Sequence, residues 1–150
     1  MTPKEVGKRA ASAMHMYRIH LALGMRPEEA AGWAANAEAE SRGDYRARQP
    51  GGPGRGLFQW GAHDPKLDRR LDFRRLFGHP IEQSTAAEQL VFRDWELAHT
   101  EARAAKEIAK ARGAGNIAAA IAIHYERPEN KFQRAIDRAN IAEEIIRRSN

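Results

Sequence analysis

The chain reads as a mainly helical α+β domain in which a small glycine-rich β-hairpin lines a cleft. Three features of the sequence lead to that class. Capped segments with helical apolar spacing open the chain, a glycine- and proline-rich stretch follows from Gly43 to Gly61, and helical spacing then returns to the end. With 150 residues there is room for one ordinary domain, residues 1–150, and for a core of its own.

The first helix is expected from Pro3 to Leu23: Thr2 and Glu5 have capping-box spacing, Pro3 sits at the first helical position, and Gly24 can close the last turn. Val6, Ala10, Ala13, Tyr17 and Leu21 form its inward stripe. A second helix runs from Pro27 to about Glu40. It is rich in alanine, which permits close packing, and Trp33 is its bulky anchor before Gly43 stops it.

Between Gly43 and Gly61 the glycines and Pro50 and Pro53 cannot sustain a helix, so a loop and hairpin are expected there. Residues 65–77 suggest a short basic helix with Leu67, Leu71 and Leu76 inward, ended by Gly78-His79-Pro80. Thr85 and Glu88 repeat the capping box and open a helical region to about Arg112, in one piece or two, carrying Leu90, Val91, Trp95 and Leu97. Asn116 reads as the cap of an apolar, central helix from Ile117 to Tyr125, which Pro128 ends. The last helix, Asn130 to Arg148, places Phe132, Ile136, Ile141 and Ile145 inward.

Composition narrows the function. The chain has no cysteine, so disulfides, cysteine nucleophiles and cysteine zinc sites are excluded. Its histidines include no His-Glu-x-x-His pair, and there is no Gly-x-x-x-x-Gly-Lys phosphate loop, so no metal or other cofactor is expected. No apolar run of about 18 residues is present to cross a bilayer, and no signal peptide is recognisable. The net charge of +5 lies in one place: residues 42–75 hold nine basic and four acidic side chains, and the rest of the chain is balanced. An anionic partner docked on that segment is the physical implication.

The chemistry centres on Asn36-Ala37-Glu38-Ala39-Glu40-Ser41, which sets Glu40 at the C-terminal end of a largely buried helix. Burial and the negative end of the helix dipole both favour the protonated carboxyl there, the property a general acid needs. Glu38, two positions earlier, points to a different helix face. Nineteen residues after Glu40 comes Gln59, within Gly56-Leu57-Phe58-Gln59-Trp60. A third element, Tyr125-Glu126-Arg127-Pro128, closes the central helix, with Glu126 and Arg127 reading as an ion pair or a structural corner.

In order, spacing and context these three pieces resemble the signature of the phage tail lysozyme family, over roughly residues 25–140. A helix ending in Glu-Ser followed by Gly-Leu-x-Gln is also seen in goose-type lysozymes and soluble lytic transglycosylases. The resemblance implies a lysozyme-like fold and a muramidase that cleaves the β-1,4 MurNAc-GlcNAc bond of bacterial peptidoglycan. Glu40 would protonate the glycosidic oxygen, while Ser41, Gln59, Trp60 and Tyr125 would bind substrate, Tyr125 with its hydroxyl near the acid. Each has a plainer reading: Ser41 satisfies a helix end, Gln59 bridges hairpin and helix, and Trp60 and Tyr125 are core.

The sequence departs from the animal lysozyme pattern where a second carboxylate would precede the Gly-x-x-Gln strand, because Pro53-Gly54-Arg55 stands there. A retaining double displacement is thereby disfavoured. Asp44 and Asp64 flank the hairpin and are candidates to activate water. If neither contributes, Glu40 acts as acid and then as base, and the product is 1,6-anhydro-MurNAc, the chemistry of a lytic transglycosylase. Arg42, Arg46, Arg48 and Arg55 are placed to attract the carboxylates of wall peptide stems.

The partner so implied is the glycan strand of peptidoglycan, not nucleic acid or a membrane interior. The protein is expected to be a monomer, as an endolysin held in the host cytoplasm until lysis or as part of a phage tail in the virion, acting in the periplasm or cell wall. The alternative of another class is a non-catalytic basic module that binds wall or nucleic acid.

Overall fold

The computed structural model describes residues 1–61 and 68–150. Among the described residues there are seven α-helices: α1 Pro3–Ala22, α2 Pro27–Ser41, α3 Arg69–Phe77, α4 Ala86–Ala98, α5 Ala102–Lys110, α6 Ala114–Ala120 and α7 Lys131–Ser149. Both capping boxes form, Thr2 with Glu5 and Thr85 with Glu88. The region expected to run to Arg112 is two helices, interrupted at His99–Glu101, where His99 leaves the helical conformation (φ −129°, ψ −92°). No described helix is long and apolar enough to cross a membrane.

Alanine decides how closely the central helices approach. Ala30, Ala31, Ala34, Ala35 and Ala37 of α2 are wholly buried, and α2 packs against α1, α6 and α7. The closest approach is at Gly32, where a Cβ would stand 2.8 Å from Ile117 Cγ2 and 3.2 Å from the Ala118 nitrogen. Around this helical layer Trp33, Phe58, Trp60, Phe92 and Tyr125 form an edge-to-face aromatic cluster, with centroid spacings of 5.2–6.1 Å.

The expected β-hairpin is not formed: among the described residues there are no strands, and pairing is limited to two isolated bridges, Arg48 with Arg55 and Arg55 with Trp60. Turn geometry explains the failure. One turn closes over 49–54, with the Gln49 N–H donating to Gly54 O at 2.9 Å. A second closes over 55–60, with Arg55 and Trp60 exchanging both backbone bonds at 2.9 Å. The two turns follow one another directly at Gly54 and Arg55, and Gly56 (φ 81°) and Gln59 (φ 54°) bend the chain out of extended conformation, so no ladder can propagate.

Several inward assignments are also corrected. Leu71 and Leu76 of α3 are 41 % and 44 % exposed, and Phe73 and Arg69 take the inward face; Leu67, like Asp64, lies outside the described residues. On α7, Phe132 and Ile136 are 68 % and 55 % exposed, while Arg138, Ile141, Ala142 and Ile145 face in. The buried Arg138 sets that face, and Ile136, two residues earlier, lies about 200° around the helix from it. Leu21 yields its place in α1 to His20 for the same reason: a buried polar pairing, with Arg93, fixes the rotation. Asn116 is no cap, since α6 already begins at Ala114 after Gly113 (φ 87°).

The central helix changes character before it ends. From Ile121 to Glu126 it widens into a π-helical turn, closed by the Arg127 N–H donating five residues back to Ala122 O at 2.8 Å. Arg127 then adopts a left-handed conformation (φ 52°), which turns the chain sharply toward Pro128.

Candidate functional site

A cleft of about 1200 Å³ runs between the C-terminal end of α2, the 47–50 loop, α5, the π-helical turn and α7. Glu40 and Gln59 both line it, from different walls. Asn36 and Glu40, four residues apart on one face of α2, are both held by Arg138 of α7. Its Nη1 donates to Asn36 Oδ1 at 2.8 Å and its Nη2 to Glu40 Oε1 at 2.7 Å. Asn36 is itself anchored, donating through Nδ2 to the carbonyls of Gly32 and Ala118, each at 3.0 Å. A buried polar network through three helices therefore positions the Glu40 carboxylate, whose side chain is 16 % exposed and whose Oε2 has no hydrogen-bond partner among the described residues. The Arg138 guanidinium, 5 % exposed, is thus an ion-pair partner of Glu40 that its sequence neighbours give no sign of.

Gln59 is held in a strained conformation. Its φ of 54° is left-handed, and its Nε2 donates to Gly56 O at 2.8 Å and Ala47 O at 3.3 Å. Such backbone costs about 1–3 kcal/mol and persists where surrounding structure enforces it. Gly54 makes room for the amide, since a Cβ there would stand 2.8 Å from Gln59 Oε1.

Ser41, Trp60 and Tyr125 stand behind the cleft wall rather than on it. The Ser41 hydroxyl is directed to the carbonyls of Ala37 (3.0 Å) and Leu57 (2.8 Å), tying the end of α2 to the loop that carries Gln59. Trp60 and Tyr125 are fully buried, and their polar tips meet at Glu96 of α4. Glu96 Oε1 accepts from Tyr125 Oη at 2.6 Å, Trp60 Nε1 at 2.8 Å and Arg69 Nη2 at 2.9 Å, while Oε2 accepts from Arg69 Nε at 2.8 Å. Burial and the Glu96 carboxylate push the Tyr125 hydroxyl up, so it stays a donor. This fully buried carboxylate was not foreseen; in sequence Glu96 is one more charged residue of an amphipathic helix, and its partners come from three other segments.

Glu126 was also misjudged. Arg127 pairs with Glu101 instead, Nη1 to Oε1 at 2.7 Å and Nη2 to Oε2 at 3.1 Å. Glu126 lines the cleft, and its Oε1 is buried with no partner among the described residues. Burial, followed by the nearby Glu40 carboxylate, raises its carboxyl well above the ordinary glutamate range, which favours the protonated form. Of the other acids considered, Glu38 faces α1, accepting from Arg9 at 3.2 Å and Ser12 at 3.1 Å. Asp44 is exposed, outside the cleft wall, and its Oδ1 accepts from the Arg46 N–H at 2.8 Å to shape a turn. Among the described residues no cluster of histidine and acidic side chains is suited to hold a metal ion.

Residues 11–148 match the family model of the phage tail lysozymes. No curated protein and no solved structure matches the chain.

Proposed function

The chain belongs to the phage tail lysozyme family, and on that premise we propose that it is a muramidase of one domain, cutting the β-1,4 MurNAc-GlcNAc bonds of peptidoglycan with Glu40 as the proton donor. The observation that carries this reading is the placement of Glu40 and Gln59 on separate walls of one cleft, with Glu40 oriented by Arg138. A glycan seated between them would present its glycosidic oxygen to the Glu40 carboxyl. Protonation of that oxygen breaks the bond to C1 as an oxocarbenium-like state develops. Gln59, already tethered through its amide nitrogen, offers its carbonyl oxygen to an N-acetyl N–H or a sugar hydroxyl.

How the oxocarbenium carbon is captured is the finer question. Hydrolysis needs a base to activate water, and a carboxyl group near Glu40 among the described residues is Glu126, whose ionisation is opposed by burial and by the Glu40 charge. A carboxyl held back from ionising is a poor base, and this observation supports a second reading, a lytic transglycosylase. There Glu40, having given up its proton, takes another from the MurNAc 6-hydroxyl as that oxygen bonds to C1. Family membership suits action at the wall by a virion-borne or lysis-stage enzyme.

The test is mass spectrometry of soluble muropeptides released from purified peptidoglycan by the wild type and by Glu40→Gln. The variant should lose on the order of 10²–10⁴ in rate while keeping its fold. Reducing MurNAc ends identify the hydrolase, and products one water lighter identify the transglycosylase. A folded Glu40→Gln protein that releases muropeptides at the wild-type rate would overturn the assignment.

A further inference from the structure

Arg42, Arg46, Arg48 and Arg55 of the basic segment do not share one environment. Three of them, Arg46, Arg48 and Arg55, converge on a second recess of about 320 Å³, which shares Ala47 and Arg48 with the wall of the cleft. The recess also holds Glu82, but that carboxylate is engaged by Arg70 Nη2 at 3.0 Å. No carboxylate pairs with Arg46, Arg48 or Arg55 among the described residues, so the recess keeps an excess of positive charge.

Two of the guanidinium groups are already positioned. Arg55 Nη1 donates to the carbonyls of Gly52 and Gly54, both at 2.9 Å, which fixes the plane of the group, and its Nε is buried with no partner among the described residues. Arg46 donates from Nε to Tyr45 Oη at 3.0 Å and lies over the Tyr45 ring at 5.1 Å. A buried N–H without an acceptor is unfavourable, and a ligand oxygen that reaches it relieves the cost. Guanidinium groups in fixed planes suit a flat, two-oxygen anion.

We propose that this recess binds a carboxylate of the peptide stem carried by the glycan strand whose sugars occupy the cleft. The proposal rests on the reading of the cleft as a peptidoglycan site. The shared Ala47–Arg48 wall is what connects them: a strand lying along the cleft carries its side branches past that wall. A recess of this size takes a side group, whereas a nucleic-acid backbone requires an extended basic track.

The test needs no turnover. Arg side-chain Nε–Hε signals are followed by NMR while wild-type protein is titrated with N-acetylmuramyl-alanyl-glutamate or with the same compound amidated at its free carboxyls. The acid should shift the Arg55 and Arg46 signals and bind about tenfold or more tightly than the amide. Arg46→Gln should bring the two compounds closer together, and because the amide comparison uses unaltered protein, a variant that folds poorly does not spoil the test. Equal affinity for acid and amide would overturn the proposal, as would shifts confined to cleft residues such as Gln59. A short DNA duplex that moves the same arginine signals at lower concentration would overturn it in favour of a phosphate polymer. Failure of the cleft reading registers separately, as an active Glu40→Gln enzyme.

Discussion

Tyr125→Phe separates a substrate-binding hydroxyl from a structural one. The hydroxyl donates to a fully buried, ionic acceptor, Glu96 Oε1, at 2.6 Å, and it also stands 2.9 Å from Trp60 Nε1. Phenylalanine fills the ring site but removes one of the donors that compensate the buried carboxylate; Trp60 and Arg69 remain. A hydrogen bond to a charged group is worth roughly 1.5–3 kcal/mol. For a domain of this length each kcal/mol moves Tm by about 2–4 °C, so a fall of about 3–12 °C is expected. Calorimetry and urea unfolding at pH 7 measure it, with an unchanged m-value showing that the native and unfolded ensembles are otherwise the same. Muropeptide release at 25 °C, where both proteins are folded, should stay within about threefold of wild type, because the tyrosine lies behind the cleft wall. A Tm unchanged within error together with a tenfold or greater loss of activity would refute this reasoning and put the hydroxyl on the substrate.

Three further outcomes follow from the packing. His20 is buried and neutral, with Nδ1–H donating to Met16 O at 2.7 Å and Nε2 accepting from Arg93; burial, then the Arg93 charge, lower its pKa from 6.5 to about 3. A depressed histidine contributes stability that is whole above pH 6.5 and is lost as pH falls toward the folded value, at up to about 1.4 kcal/mol per pH unit. Urea midpoints at pH 7 and 4.5 should therefore differ more in the wild type than in His20→Gln, and parallel curves would contradict the assignment. For Glu126 the sign is opposite: a raised carboxyl contributes stability present below about pH 4.5 and lost as pH rises through its folded value. Glu126→Gln should thus gain stability relative to wild type as pH rises above 5 in thermal melts, and a gap independent of pH would count against a raised Glu126 carboxyl. Gly32→Ala drives a methyl into Ile117, costing about 1–3 kcal/mol against about 1 kcal/mol of helix preference regained. Since Gly32, Asn36 and Glu40 share one face of α2, Tm and muropeptide release should fall together, and a stabilised, fully active variant would show that α2 and α6 part without moving the site.

Local chemistry was legible from the residues alone. Thr2 with Glu5, Thr85 with Glu88, the glycine stops and the alanine-rich run mark helices because caps, chirality and side-chain size act over a few residues of chain. The three motif segments also identified the family and singled out Glu40 and Gln59, the residues that line the cleft. Helix rotation was less legible. Apolar spacing placed Leu21, Phe132 and Ile136 inward, but buried ion pairs and hydrogen bonds to His20 and Arg138 outweighed those side chains. The hairpin failed for a different reason: glycine and proline announce turns, but whether strands grow between turns depends on how many residues separate them, and here the turn over 55–60 follows the turn over 49–54 with none between.

What the sequence determined by itself was the order of helices and turns and the family, and it singled out one carboxylic acid, Glu40, because short-range sterics and motif order are properties of neighbouring residues. Tertiary structure decided what surrounds that acid. Arg138 reaches Glu40 from 98 positions away, Glu96 gathers Arg69, Trp60 and Tyr125 from as far as 36 positions, and the Glu126 carboxyl is raised because packing sets it beside another carboxylate and restricts its access to water. Charge state and hydrogen bonding depend on distance in space and exclusion of solvent, and neither is defined until distant segments have packed.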